Sequence, residues 1–296
     1  MKEFLRSVVA TFLMACGIVV VGGVAVNQLP LDNVYTFKLK YMEENCEEIK
    51  TLVMGHSQFE WGLNPHALGD STFMLAMSGR VSYYDEALLR RYLPRMHKLE
   101  TVIMPLHYSF DGFDGFYEND KDRAAFIYHY YRDMGIPYPK YFYHYIPYHY
   151  KMLKNDGVPR DSMDELGYRK LTRKFVGADT WWACNQGAQG AYRASLTGIA
   201  RMCQEKGVRL IVVTPPSAQA FLNMTTESKI QKLHDMMDSV AREYPVEYRN
   251  YLVDSAFRDN NLYYDATHLN LTGATLLQRG WCGTLGYKPG VLLISC

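Results

Sequence analysis

The chain has 296 residues, 48% hydrophobic and 21% charged, which is enough for one sizeable core with an appendage. Lys and Arg total 32 against 31 Asp and Glu, and a net charge of +1 excludes the strongly basic surface that nucleic-acid binding requires. The six cysteines show no CxxC pair and no metal-ligand spacing, so the sequence identifies no disulfide partners and predicts no metal site and no other cofactor.

Residues 1–30 form the first predicted unit, an N-terminal transmembrane helix. Val8 to Val26 carry no charge over 19 positions, close to the roughly 20 that span a bilayer. Lys2 and Arg6 precede this run, so the positive-inside rule predicts a cytoplasmic N-terminus and an extracytoplasmic domain. An uncleaved signal-anchor, a cleaved signal peptide and a lipoprotein signal ending at Cys16 are the alternatives. The signal-anchor is favoured, because the apolar run continues past Cys16 without a clear cleavage site.

Residues 31–296 form the second predicted unit, in which apolar segments of strand length alternate with helical patterns. The strand candidates are Ile49–Met54, Phe73–Met77, Thr101–Leu106, Val208–Thr214 and Val246–Val253. The helix candidates are Tyr83–His97, in which Pro94 predicts a kink or an end, Gly190–Lys206 and Glu227–Glu243. This alternation predicts an α/β fold, a three-layer flavodoxin-like parallel sheet with helices on both faces.

One long interval, residues 107–189, does not fit the alternation and predicts an insertion over the C-terminal edge of the sheet. It includes residues 126–150, a tract with nine tyrosines. These rings could stack on sugars, lie at a membrane interface or form the core of the inserted subdomain. Trp181 and Trp182 beside Asn185 would suit a polar, ring-shaped substrate.

Ser57 follows the first predicted strand at a turn that Gly55 permits. Functional groups collect beyond the carboxyl ends of parallel strands, although a serine there also caps helices well. Near the other end, Asp265 and His268 stand three apart before the last amphipathic segment, where they too could cap a helix. A serine becomes nucleophilic when a histidine takes its proton, and a carboxylate orients that histidine. The sequence therefore predicts that Ser57, His268 and Asp265 meet.

Three short blocks in this order are similar to sequence blocks of the SGNH (GDSL-like) hydrolase superfamily. They are "GHSQ" at Gly55–Gln58, "AMSGR" at Ala76–Arg80 and "DATHLN" at Asp265–Asn270. The chain most resembles the membrane-anchored, cell-envelope branch that includes proteins of alginate O-acetylation and teichoic-acid D-alanylation. The resemblance covers roughly Ile49 to Gln278, without residues 107–189.

The resemblance implies a role for each residue that it matches. Ser57 would be the nucleophile, His268 the general base and Asp265 the carboxylate that orients it. The backbone N–H groups of Ser57 and Gly79 would donate to the oxyanion. The superfamily's third donor, an Asn in a Gly-x-Asn-Asp block after the third strand, has no counterpart in "HYSFDGFD". His107, Tyr108 or Ser109 could donate instead, or the third donor is missing.

Two functions are compatible with this resemblance. The first is an envelope-anchored serine esterase or O-acyltransferase that acts on acyl groups of a cell-surface polysaccharide, alongside envelope biosynthesis partners. The second is a catalytically degenerate protein of the same fold that binds glycan or an assembly partner. The complete set of Ser57, His268 and Asp265 favours the enzyme, and the missing Asn favours the binding protein.

Overall fold

The computed structural model of the protein describes most of the predicted sheet domain and the N-terminal helix. The described residues are 1–28, 33–69, 71–80, 82–106, 134, 163–172, 189–223, 225–279 and 281. Most of the predicted insertion at 107–189, including His107, Trp181, Trp182 and Asn185, lies outside them.

The N-terminal segment forms one long helix, α1 (Lys2–Gln28). Its part Lys2–Ala25 is long and apolar enough to cross a membrane, and the large apolar side chains along it are exposed. A signal sequence has the same length and composition, so both interpretations agree with this helix. The prediction of an apolar N-terminal helix is confirmed.

Five parallel strands form one sheet in the order β2-β1-β3-β4-β5. The strands are β1 (Thr51–Val53), β2 (Thr72–Met74), β3 (Thr101–Pro105), β4 (Arg209–Thr214) and β5 (Val246–Asn250). The order 2-1-3-4-5 is that of flavodoxin-like, doubly wound sheets. The predicted fold class is therefore confirmed.

All five strands are shorter than predicted, and three of them are shorter by two or more residues. The predicted ranges of these three were Ile49–Met54, Phe73–Met77 and Val246–Val253. The β1–β2 ladder ends because the N–H groups of Leu75 and Ala76 both donate to the Val53 carbonyl oxygen, at 2.7 and 3.0 Å. Strand β5 ends where the Asn250 side chain accepts the N–H of Leu252 and turns the chain.

Helices flank the sheet on both faces. They are α2 (Val34–Asn45), α3 (Ser57–Gly62), α4 (Ser82–Tyr92), α5 (Gln189–Lys206), α6 (Gln219–Asn223), α7 (Glu227–Glu243) and α8 (Leu271–Arg279), with 3₁₀ turns at Cys46–Glu48, Pro65–Leu68, Ser255–Phe257 and Asn260–Leu262. Helix α4 ends at Tyr92, earlier than the predicted His97, because the residue before Pro94 disfavours helical geometry. Helix α7 has the bounds that the sequence predicts, Glu227–Glu243.

Alternation along the central strands separates two apolar layers. Leu52 of β1 and Val102 of β3 belong to the larger core cluster, which also contains buried side chains of α2, α4, α5 and α7. Val53 and Ile103, the next residues along the same strands, belong to a second cluster that contains Phe59 of α3. Successive side chains of a strand point to opposite faces, so the sheet is buried between two layers.

The turn after β1 requires a glycine at position 55, two residues before Ser57. Gly55 has φ +106°, a conformation that side-chain-bearing residues rarely adopt. A Cβ atom there would also overlap the ring of Pro105, at the end of the neighbouring β3. The close approach of these two strand ends therefore requires glycine at this position.

Replacing Gly55 by alanine should destabilise the fold more than the same change at Gly69, which also has positive φ but open space around it. We expect Gly69→Ala to cost about 1–3 kcal/mol for backbone strain alone. Gly55→Ala should lose a further ~1–3 kcal/mol through overpacking. Urea unfolding of the two variants measures the difference, and equal losses would contradict the close packing against Pro105.

Candidate functional site

The predicted serine and histidine are in contact at the C-terminal edge of the sheet. Ser57 is the first residue of α3, and His268 lies in the loop before α8. Ser57 Oγ and His268 Nε2 are 2.8 Å apart, a hydrogen-bond distance, although the residues are 211 positions apart in the chain. The side chain of Ser57 thus contacts the imidazole. It does not cap helix α3.

Asp265 contacts the other nitrogen of the same ring. His268 Nδ1 lies 2.8 Å from Asp265 Oδ2 and 2.9 Å from Oδ1. A proton on Nδ1 satisfies this carboxylate and leaves Nε2 as the acceptor for the Ser57 hydroxyl. The three side chains therefore form one hydrogen-bonded chain from alcohol to imidazole to carboxylate.

The local sequence holds Asp265 in place. Its Oδ1 accepts the backbone N–H groups of Thr267 and His268, both at 2.9 Å. Burial alone raises the pKa of Asp265, but the hydrogen bond and charge of His268, together with these N–H groups, outweigh it and hold the pKa below its ordinary value. The carboxylate is thus kept ionised beside the ring. Asn270, and not Asp265 or His268, caps α8 by accepting the N–H groups of Thr272 and Gly273.

Two backbone N–H groups lie in the turns that follow β1 and β2. Gly79 has φ +73° in the turn after β2, and Ser57 begins α3. Within the described part of the chain, neither N–H donates to another protein group. The Met77 N–H donates to the Gly55 carbonyl oxygen at 2.8 Å and so ties the two turns together. His107 lies outside the described residues, and its role as a third donor stays a prediction.

Two residues of α3 that the sequence did not single out contact the histidine loop. The Trp61 ring lies 4.6 Å from the His268 ring, centroid to centroid, and is half-buried. Gln58 Nε2 donates to the Thr267 carbonyl oxygen at 2.9 Å. The spacing offered a signal for Trp61, because residues four apart on a helix share one face, as Ser57 and Trp61 do.

A buried cationic and anionic cluster lies beneath α3. Glu60 is fully buried. Lys38 Nζ, on α2, lies 3.8 Å from Glu60 Oε1, and the Lys38 side chain is 1% exposed. Burial lowers the pKa of Lys38 from its ordinary 10.5 to about 7; Glu60 opposes this shift, while Arg80 and Arg169 add to it. Lys38 also donates to the Ala76 carbonyl oxygen. No sequence pattern indicated this cluster.

A second buried ion pair joins the turns after β1 and β2. Arg80 Nη2 lies 2.6 Å from Asp85 Oδ1, and both side chains are buried. The same oxygen accepts the Gly55 N–H at 3.1 Å. Burial raises the pKa of Asp85, and the Arg80 charge opposes this. One carboxylate on α4 thus fixes both turns.

Among the described residues, no cluster of three or more His, Cys, Asp or Glu side chains is arranged to hold a metal ion. The cysteines that are described, Cys16, Cys46 and Cys203, form no disulfide. The groups that meet at Ser57 are an imidazole, a carboxylate and an aromatic ring.

Structure comparison finds ester-cleaving enzymes among the proteins to which this chain is similar. A GDSL-like lipase from Bacteroides thetaiotaomicron aligns with 86% of this chain and 98% of its own, at 12% identity and a TM-score of 0.47. An acetylxylan esterase from Geobacillus stearothermophilus aligns with 81% and 95%, at 12% identity and a TM-score of 0.41. No protein-family model matches the chain, and no curated protein sequence matches it.

The lowered pKa of Lys38 predicts a pH-dependent stability. Between pH 7 and 10.5 the unfolded chain holds a proton on Lys38 that the folded protein releases, so the free energy of unfolding should rise with pH in this window. Urea unfolding at pH 7, 8 and 9 should show this rise in the free energy of unfolding in the wild type but not in Lys38→Met. Lys40→Met, which removes an exposed lysine of the same helix, should retain it. If the free energy of unfolding changed with pH in the same way in all three proteins, Lys38 would not be the source of the pH dependence.

Proposed function

We propose that the protein is an envelope-anchored SGNH-type serine esterase or O-acyltransferase. The observation that carries the proposal is the hydrogen-bonded chain from Ser57 through His268 to Asp265. An alcohol in this arrangement loses its proton to the imidazole as it attacks an acyl group, and the carboxylate stabilises the imidazolium that forms. Ester-cleaving enzymes are also among the structures to which this chain is similar.

In the proposed reaction Ser57 Oγ attacks the acyl carbonyl carbon while His268 Nε2 takes the hydroxyl proton. The carbonyl oxygen becomes an oxyanion that accepts hydrogen bonds from the N–H groups of Ser57 and Gly79. Collapse of this intermediate expels the alcohol of the substrate, which takes the proton from His268. Water or a sugar hydroxyl then attacks the acyl-enzyme, again with His268 as base, and releases Ser57.

The proposed substrate is an acylated cell-surface polysaccharide. Support comes from the sequence resemblance to the envelope branch and from Trp61, a half-buried aromatic ring beside His268. Aromatic faces pack well against the apolar faces of sugar rings. The guanidinium carbon of Arg169 lies over the Trp61 ring, 5.7 Å from the ring centroid, in a cation–π contact. Trp181, Trp182 and Asn185 remain further candidates for glycan contacts.

The proposed location is a single-pass membrane protein with a cytoplasmic N-terminus and an extracytoplasmic domain. Support comes from α1, whose large apolar side chains are exposed and whose cations, Lys2 and Arg6, precede the apolar run. Such an anchor would keep the enzyme near envelope biosynthesis partners and their polysaccharide.

The second candidate function is a glycan- or partner-binding protein without turnover. The missing Asn after β3 favours it, because the loss of one oxyanion donor costs roughly 10²- to 10³-fold in rate. A single measurement separates the two functions. A binding protein would hydrolyse a small acetyl ester no faster than its His268→Ala variant at any pH from 6 to 9.

Substitutions in the proposed triad should abolish turnover. We expect Ser57→Ala and His268→Ala to lower kcat for an acetyl ester at least about 10³-fold, and Asp265→Asn about 10⁴-fold through loss of the correct imidazole tautomer. Steady-state kinetics of the detergent-solubilised full chain measures this. Ser255→Ala, which removes an exposed hydroxyl, is the matched control and should keep wild-type activity. Unchanged activity in the Ser57 variant would reject the nucleophile.

Trp61 should select for a sugar-bearing substrate. Trp61→Ala should raise KM for an acetylated oligosaccharide about five-fold, since a ring contact is worth about 1 kcal/mol, and raise KM for a small acetyl ester less than about two-fold. Trp61→Phe keeps an aromatic face and should lie close to the wild type. An equal rise in KM for both substrates in Trp61→Ala would show that the ring only supports His268.

A further inference from the structure

The carboxylate of Glu60 joins the helix that begins with Ser57 to the turn that contains Gly79. Glu60 lies three residues after Ser57 on α3 and is fully buried. Its Oε2 accepts the backbone N–H of Ser78 at 2.8 Å and also the Ser78 hydroxyl. Ser78 directly precedes Gly79, so this contact is one residue from a proposed oxyanion donor.

Two basic side chains extend this contact. Lys38 Nζ lies 3.8 Å from Glu60 Oε1 and donates to the carbonyl oxygen of Ala76. Arg169 Nη1 lies 3.6 Å from Glu60 Oε2, and the Arg169 N–H donates to the Glu60 carbonyl oxygen at 3.3 Å. The turn is therefore held at residue 76 by a lysine and at residue 78 by a carboxylate.

Stability alone does not account for a charged cluster at this place. Removing carboxylates and ammonium groups from water costs several kcal/mol per ion, and apolar residues of similar volume are often at least as stabilising. Helix α3 has only six residues, so its orientation depends on tertiary contacts. A carboxylate that accepts two hydrogen bonds from one residue fixes a backbone direction, which apolar packing does not do.

We propose that Glu60 is a positioning residue that aims the Gly79 N–H at the oxyanion formed on the acyl group bound to Ser57. This inference rests on the proposed esterase function. Glu60 itself is fully buried, and its carboxyl group bonds to Ser78 rather than to the side chains of the proposed triad. It acts through Ser78, while the Arg80–Asp85 pair fixes the other end of the same turn.

The test compares Glu60→Ala with Glu60→Gln in the full-length, detergent-solubilised protein. Glu60→Ala removes the acceptor for the Ser78 N–H, so kcat for a small acetyl ester should fall about 10²- to 10³-fold, as for the loss of an oxyanion donor, with KM within about three-fold. The amide oxygen of Glu60→Gln can still accept this N–H, and kcat should recover at least about ten-fold relative to Glu60→Ala. Amide hydrogen exchange at Ser78 and Gly79 should be faster in Glu60→Ala than in Glu60→Gln.

The outcomes separate the two proposals. If the wild type hydrolyses the ester no faster than Ser57→Ala, the esterase function fails, and the positioning role fails with it. If the wild type depends on Ser57 but Glu60→Ala keeps its kcat, or if Glu60→Gln gives no recovery, only the positioning role is wrong. Should Glu60→Ala not fold, Glu60→Ala with Lys38→Met removes the unpaired lysine. It is then compared with Lys38→Met alone, and an equal kcat for these two would overturn the inference.

Discussion

The hydrogen bond between Ser57 and His268 is the contact on which the site depends. It joins residues 211 positions apart, and it forms because a parallel sheet gathers the ends of all its strands at one edge. The turn after β1 delivers the hydroxyl, and the loop before α8 delivers the imidazole. Gly55 permits the first of these turns to pass directly over Pro105. Without the sheet, nothing would hold these two loops at the same edge, and the two side chains would not meet.

Three buried or partly buried carboxylates shape the loops around that contact, and they do so in the same way. Asp265 accepts the N–H groups of Thr267 and His268, Glu60 accepts that of Ser78, and Asp85 accepts that of Gly55. Each carboxylate also faces a basic side chain: His268, Lys38 with Arg169, and Arg80, respectively. A backbone N–H bonded to a charged acceptor has a fixed direction. The site is thus built from carboxyl groups that orient backbone N–H groups, beside an apolar sheet that supplies most of the burial.

The sequence predicted the parts of this arrangement that repeat or that stand in short motifs. Apolar segments alternating with helical patterns predicted the parallel sheet, and Ser57, Asp265 and His268 were identified from local motifs alone. Strand ends were less well predicted, because the β1–β2 ladder stops where two N–H groups compete for the Val53 carbonyl oxygen. Glu60 could not be identified, since a Glu on a short helix normally faces solvent and its partner Ser78 is eighteen residues away. Lys38 lies on a helix that no pattern marked as part of the site.

The most direct test of the central claim is mass spectrometry of the protein quenched during turnover of an activated acetyl ester. If His268 activates Ser57, an acetyl group should appear on the peptide that contains Ser57 in the wild type, and it should be absent from His268→Ala treated identically. Acetylation of Ser57 to the same extent in both proteins, or an acetyl group only on other residues, would contradict the account.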